Sequence, residues 1–116
     1  MKITLKGKPI STQHAYWQRG KARFMKDDAR DLKNSYILQT KNQYKGSPLN
    51  DNLSVYIRLY FPDKRVRDID NYWKLLLDSL TWIVYEDDKQ IKLMTIQIME
   101  VDKNSRIELI IDEISI

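Results

Sequence analysis

The chain has 116 residues and a mass of 13.9 kDa; 42% of it is hydrophobic, 31% is charged and the formal net charge is +4. That size holds one domain, since a single core forms from about 50–200 residues, and the apolar share is large enough to exclude wholesale disorder. The absence of cysteine and the single histidine, His14, exclude disulfides, thiolate zinc sites and multi-histidine metal sites, so a metal held here would have oxygen ligands, the preference of Mg²⁺, Mn²⁺ or Ca²⁺.

Lys2 to Lys6 alternates apolar and polar residues and predicts a strand with Ile3 and Leu5 on one face. Residues 7–24 read as a long loop or irregular hairpin punctuated by Gly7, Pro9 and Gly20. It interleaves Lys8, Arg19, Lys21 and Arg23 with Tyr16, Trp17 and Phe24, aromatics that either stack on unpaired bases or anchor the loop. Asp27 to Thr40 predicts a helix, with Asp27, Asp28 and Asp31 at the positive end of its dipole and Ala29, Leu32 and Tyr36 as its apolar stripe. After a polar loop containing Gly46-Ser47-Pro48, Leu53, Val55, Ile57, Leu59 and Phe61 alternate cleanly enough to predict a strand ended by Pro62.

A second helix is expected over Asp68 to Trp82, from the helical spacing of Ile69, Trp73, Leu76, Leu77 and Leu80. The acidic turn Glu86-Asp87-Asp88 follows it. Ile91–Val101 and Arg106–Glu113 read as strands joined into a hairpin through Asp102-Lys103-Asn104-Ser105. The expected order is therefore β-α-β-α-β-β. This is an α+β domain over residues 1–116, a mixed sheet with two helices packed on it. The longest apolar run, Trp82 to Tyr85, falls far short of the roughly 20 residues of a membrane span, and the N-terminus lacks a signal peptide's apolar block. The expectation is a cytoplasmic protein with no membrane partner.

Charge is unevenly placed. Residues 1–67 carry a balance of +10 and residues 68–116 a balance of −6. A basic half suits a polyanion such as nucleic acid, and carboxylates beside such a ligand call for a bound divalent metal; an ordinary charged surface with uneven placement is the bland alternative. The segment Lys64-Arg65-Val66-Arg67-Asp68-Ile69-Asp70-Asn71 leads basic residues into an Asp-x-Asp at a strand-to-helix junction, where residues two apart point the same way. Lys74 follows Asp70 at helical spacing, and the acidic turn at 86–88 supplies a further carboxylate for an oxygen-ligand site for Mg²⁺ or Mn²⁺. Taken singly, Asp70 reads more readily as a helix cap, Asp70 and Lys74 as an exposed ion pair, and Glu86-Asp87-Asp88 as a solvated turn; together they fit phosphodiester chemistry better than an idle surface. Arg65 and Arg67 are candidates to hold flanking phosphates. No phosphate-binding glycine loop, nucleophile elbow or organic-cofactor motif is present.

Arg67-Asp68-Ile69-Asp70-Asn71-x-x-Lys74, then Asp78-Ser79-Leu80-Thr81, then Asp87-Asp88-x-Gln90-Ile91 resembles the signature of the RusA-type Holliday-junction resolvases, small endodeoxyribonucleases frequent in prophages. The resemblance extends to Gly7-Lys8-Pro9 and implies a terminal β-hairpin. It implies a homodimer that needs Mg²⁺, with Mn²⁺ as a substitute, and that binds four-way DNA junctions and nicks two opposing strands. It places the catalytic carboxylates, which are also the metal ligands, at Asp68, Asp70 and Asp88 and the catalytic lysine at Lys74. Asn71 joins Lys8, Arg19, Lys21, Arg23, Arg65 and Arg67 as DNA-binding candidates. Trp82, Ile83, Val84 and Tyr85 are the candidate dimer face, or else part of the monomer's core. The alternatives are an inactive junction-binding protein of the same fold and a small RNA-processing domain.

Overall fold

The computed structural model describes residues 1–11, 16–19, 22–25 and 27–115, and for 16–19, 22–25, 27 and 28 it describes the backbone alone. In chain order these form β1 (Lys2–Lys6), β2 (Tyr16–Arg19), β3 (Ala22–Met25), α1 (Asp27–Gln43), β4 (Leu53–Tyr60), a 3₁₀ turn (Ile69–Tyr72), α2 (Lys74–Leu80), a second 3₁₀ turn (Asp88–Gln90), β5 (Ile91–Ile98) and β6 (Arg106–Glu113). The main sheet has the order β1-β6-β4-β5, with β4 and β5 parallel and the other pairs antiparallel. The class is α+β, as expected. β2 and β3 form a separate antiparallel ribbon, so the basic segment does contain a hairpin.

Alternation along the strands explains the layering. Leu53, Val55, Ile57 and Leu59 of β4, Ile107, Leu109 and Ile111 of β6, and Ile3 and Leu5 of β1 are buried in one core with Tyr36 of α1 and Leu76, Leu77 and Leu80 of α2. Each fully buried aliphatic of this size contributes about 1.5–3 kcal/mol through removal from water. Thr40, buried on α1, returns its hydroxyl to the Tyr36 carbonyl at 2.7 Å, so its polar atom is satisfied inside the helix. Gly7, at φ 112°, turns the chain out of β1 where a side chain would be strained, and its N–H meets Ser105 O at 3.2 Å.

Three expectations need correction. β5 and β6 do not form a hairpin: they lie on opposite sides of β4. α2 returns the chain over the sheet so that β5 enters parallel to β4, as a helical crossover requires, and β6 then takes the other edge of β4. The chain after β5 continues past the end of β4, with Met99 N–H on Leu59 O and Asp102 N–H on Phe61 O, both at 2.9 Å, so β5 ends at Ile98 rather than Val101. The second helix is also broken. The 3₁₀ turn precedes α2, and Trp73, at φ −109° and ψ −32°, is the N-cap of α2 in place of Asp70. Val84 and Tyr85 are wholly buried while Trp82 is exposed, which assigns half of the candidate dimer face to the monomer's core.

The two sheet edges differ. On β1, Thr4 N–H donates to Gln43 Oε1 at 2.8 Å and Gln43 Nε2 returns to Thr4 O at 2.7 Å, while Lys6 N–H donates to Gln39 Oε1 at 2.8 Å. Side chains of α1 thus satisfy that edge. β5 leaves Leu93, Met94 and Ile98 exposed. Among the described residues, no helix is long and apolar enough to cross a membrane.

Candidate active site

The connection from β4 to α2 is stiffened before it reaches the acid pair. Arg67 lays its guanidinium 4.0 Å from the centre of the Phe61 ring, and Phe61 packs edge-on against Tyr72 at 5.3 Å. The same guanidinium donates to Asp63 Oδ1 at 2.7 Å and to Arg65 O at 3.0 Å, leaving its side chain 8% exposed. Asp63 also accepts from Arg65 N–H at 3.0 Å; that bond and the Arg67 guanidinium hold its carboxyl below the usual range. Arg67 therefore braces the loop from within, whereas Arg65 extends an exposed side chain.

Asp68 occupies the N-cap position of the first 3₁₀ turn in extended backbone, yet its side chain makes no cap bond. Its carbonyl accepts from Asn71 N–H at 3.2 Å. Asp68 and Asp70 are both exposed. Asp68 lines an open cavity of about 690 Å³ with Lys8, Arg65, Arg67, Asn71 and Tyr72. Carboxylate, amide and cations thus share one wall, the composition that a phosphate with a bound cation would meet.

The second acidic element is the turn before β5. Asp87 spends its carboxylate on a capping box: Oδ1 accepts from Lys89 N–H at 2.9 Å, while Gln90 Oε1 accepts from Asp87 N–H at 2.8 Å. The Lys89 bond holds the Asp87 carboxyl below its ordinary range. Asp88 is exposed and takes no part in that capping box. Desolvation, a hydrogen bond shared with Asp87 and the charges of Asp87 and Asp78 push its pKa up, against the Lys74 ammonium, which pulls it down. Lys74 begins α2 and makes no ion pair with Asp70 among the described residues; its field acts on Asp88 instead. The structure thereby brings Lys74, Asp78 and Asp88 into one electrostatic neighbourhood.

Gln90 is the residue whose role the sequence did not reveal. Its Oε1 accepts from Glu86 N–H and Asp87 N–H at 2.9 and 2.8 Å, and its Nε2 donates to Leu49 O and Asp51 O at 2.8 and 2.9 Å. One amide pins the acidic turn to the segment that leads into β4. The resemblance motif contains Gln90, but residue type alone does not announce four backbone partners.

The donor chemistry of Asp68, Asp70 and Asp88, all exposed carboxylates, fits a hard divalent cation. Among the described residues, no three acidic or histidine side chains stand close enough together to form a ready-made metal site. Lys21 and His14 lie outside the described residues, as do the side chains of Tyr16, Trp17, Arg19, Arg23 and Phe24. No curated protein matches the chain. Residues 6–112 match the family model described as Endodeoxyribonuclease RusA.

Proposed function

Since the chain belongs to the RusA family of endodeoxyribonucleases, we propose that it resolves four-way DNA junctions by paired nicks in opposing strands, as a homodimer using a divalent cation held by Asp68, Asp70 and Asp88. Membership carries endodeoxyribonuclease activity and the binding of branched DNA. The observation that supports the site assignment is that Asp68, at a cap position, makes no cap bond and faces a cavity that also holds Lys8, Arg65 and Asn71. Asp87, by contrast, is consumed by its capping box, which favours Asp88 as the third ligand.

A phosphodiester repels nucleophiles through its own charge, so the site must neutralise that charge before water attacks. Mg²⁺, with Mn²⁺ as a substitute, would supply Lewis-acid chemistry at the scissile phosphate. Asp68 and Asp70 present carboxylates from one junction and Asp88 from the other, each exposed to an incoming strand. Lys74, beside Asp88, adds a positive charge where negative charge builds on the phosphate or the leaving oxygen. Lys8 and Arg65 hold flanking phosphates and Asn71 lines the same wall. Arg19, Lys21 and Arg23 are assigned to further phosphates of the bound DNA.

The test is a synthetic four-way junction incubated with Mg²⁺ or with EDTA and read on a denaturing gel. Paired nicks in Mg²⁺ and none in EDTA are expected. Asp70→Asn should lower nicking by roughly 100-fold or more, the scale on which removing one electrostatic group from an active site acts, while junction binding persists. Undiminished cutting in EDTA overturns the metal assignment, and a wild-type rate for Asp70→Asn overturns the role of Asp70.

A further inference from the structure

Trp82 is used by none of the chemistry above. It sits in the turn between α2 and the acidic segment, the residue is 72% exposed, and its φ of 69° is left-handed. No other non-glycine residue among those described adopts a positive φ. A bulky residue resists that conformation because its Cβ crowds the neighbouring carbonyl. The turn imposes it: Trp82 N–H donates to Tyr85 O at 2.6 Å, and Ile83 and Val84 N–H both return to Leu80 O, at 3.1 and 3.0 Å. Glycine would satisfy this turn without strain. A tryptophan that strains the backbone and stays out of the core does not serve the fold, and strain of this kind is retained where a side chain has a task.

The surroundings indicate the task. Trp82 borders an open cavity of about 520 Å³ lined also by Lys33, Ile37 and Lys41 of α1 and by Asp78, Thr81 and Ile83. Neither lysine enters an ion pair among the described residues. The turn that holds Trp82 closes on Tyr85, the residue directly before the acidic turn Glu86-Asp87-Asp88, so the indole lies on the flank of the candidate active site.

We propose that Trp82 is a stacking plate for an unpaired nucleobase of the DNA strand beside the branch point, with Lys33 and Lys41 holding that strand's phosphates. The inference rests on the reading that the chain acts on branched DNA. Within a continuous duplex both faces of every base are covered by neighbours; where strands exchange, stacking is interrupted and a base face becomes available to an indole. The two ammonium groups complement the phosphates on either side of such a base.

The test compares wild type with Trp82→Gly, Trp82→Ala and Trp82→Phe for binding to a labelled oligothymidylate, a four-way junction and a linear duplex, all in Ca²⁺ to prevent cutting, followed by thermal melting and light scattering. Loss of the ring should weaken binding to oligothymidylate and to the junction by about tenfold, within the range for one base–aromatic stack, and leave duplex binding unchanged. Trp82→Phe should retain most of the affinity. Trp82→Gly should melt at or above the wild-type temperature, and Trp82→Ala, which keeps the strained φ, below Trp82→Gly. Unchanged oligothymidylate binding by both ring-less variants overturns the proposal. So does an equal loss on linear duplex, which would leave only a charged surface, and so does a fall in mass from dimer to monomer, which would make a second copy the occupant. Should Trp82→Gly fail to fold, the strain argument is lost, and Trp82→Ala decides the stacking. Absence of nicking by wild type in Mg²⁺ would remove the resolvase reading, while the oligothymidylate comparison still decides the role of Trp82.

Discussion

Arg67 shows how residue type and residue role part company. In the sequence it is one of three cations running into an Asp-x-Asp, and it reads as a phosphate ligand. In the fold its guanidinium is spent on Asp63, on the Arg65 carbonyl and on the Phe61 ring, with 8% of the side chain exposed. Sequence gives the charge of a side chain but not where its fork ends, because that depends on a loop whose path is set by long-range packing. Asp87 and Asp88 divide in the same way: both are acidic and adjacent, and only the capping geometry tells the spent carboxylate from the available one. Asp68 and Asp70 were legible because Asp-x-Asp after a strand fixes them at a junction whatever the details. Arg67→Ala should destabilise the chain by about 1–2 kcal/mol through the lost cation–π contact and packing. It should also lower junction cutting more than junction binding, because the loop that presents Asp68 loosens. Urea unfolding beside binding and cutting assays checks this; unchanged stability would show that the brace is idle.

At the scale of elements, period-2 and period-3.6 patterns predicted β1, β4, α1 and β6 close to their observed limits, because one face of each is buried in the core. Pairing was not legible. The polar link at 102–105 looks the same whether it closes a hairpin or carries the chain across β4, and the choice is made by the parallel crossover through α2. The acidic turn owes its position to Gln90. Gln90→Ala would release Glu86 N–H, Asp87 N–H, Leu49 O and Asp51 O at once. A loss of about 1–3 kcal/mol is expected, since neutral hydrogen bonds contribute about 1 kcal/mol each and water replaces part of them here. Nicking should fall with little change in DNA affinity, because Asp88 is displaced and the cationic cavity is not; a parallel fall in both would show that Gln90 acts only through stability. The open face of the sheet predicts acid sensitivity. Glu108 on β6 has a nearly buried side chain beside Lys2, Arg58 and Arg106, at 3.5, 3.4 and 2.9 Å. Burial pushes its pKa up, but Arg106, Lys2 and the Tyr60 hydroxyl together hold it below the ordinary glutamate value. A carboxyl depressed in the folded state contributes stability above its unfolded pKa, and loses it as pH falls through the folded one. The urea midpoint of wild type should therefore drop on acidification below about pH 4.5, and in Glu108→Gln that drop should be smaller.

For the whole molecule, the +10 segment and the −6 segment meet at one cavity, which Lys8 and Arg65 share with Asp68. The proposed paired nicking raises the question of how a chain with a single Asp-x-Asp would cut two strands. A four-way junction has approximate two-fold symmetry, and a two-fold pair of chains would present one site to each cut strand. The fold indicates where the pair would meet. A four-stranded sheet has two edges, and an uncovered edge of unpaired N–H and C=O groups is a template for another strand. α1 closes the β1 edge with Gln39 and Gln43. The β5 edge has no comparable cover among the described residues and exposes apolar side chains, Leu93 by 59% beside Ser54 on the face it shares with Thr95 and Gln97, and Met94 and Ile98 beside Val55 and Leu59 on the other. Joining two such edges antiparallel about a two-fold axis would make one continuous sheet and remove both from solvent. Leu93→Lys tests this without disturbing the monomer, because the side chain lies outside the core, while two ammonium groups near the axis would repel. Light scattering at micromolar concentration should give about twice 13.9 kDa for wild type and about 13.9 kDa for Leu93→Lys. The variant should still nick junctions, but in one strand at a time. A dimeric Leu93→Lys would move the interface elsewhere, and a wild type that stays monomeric free and on the junction would leave paired cutting without a mechanism.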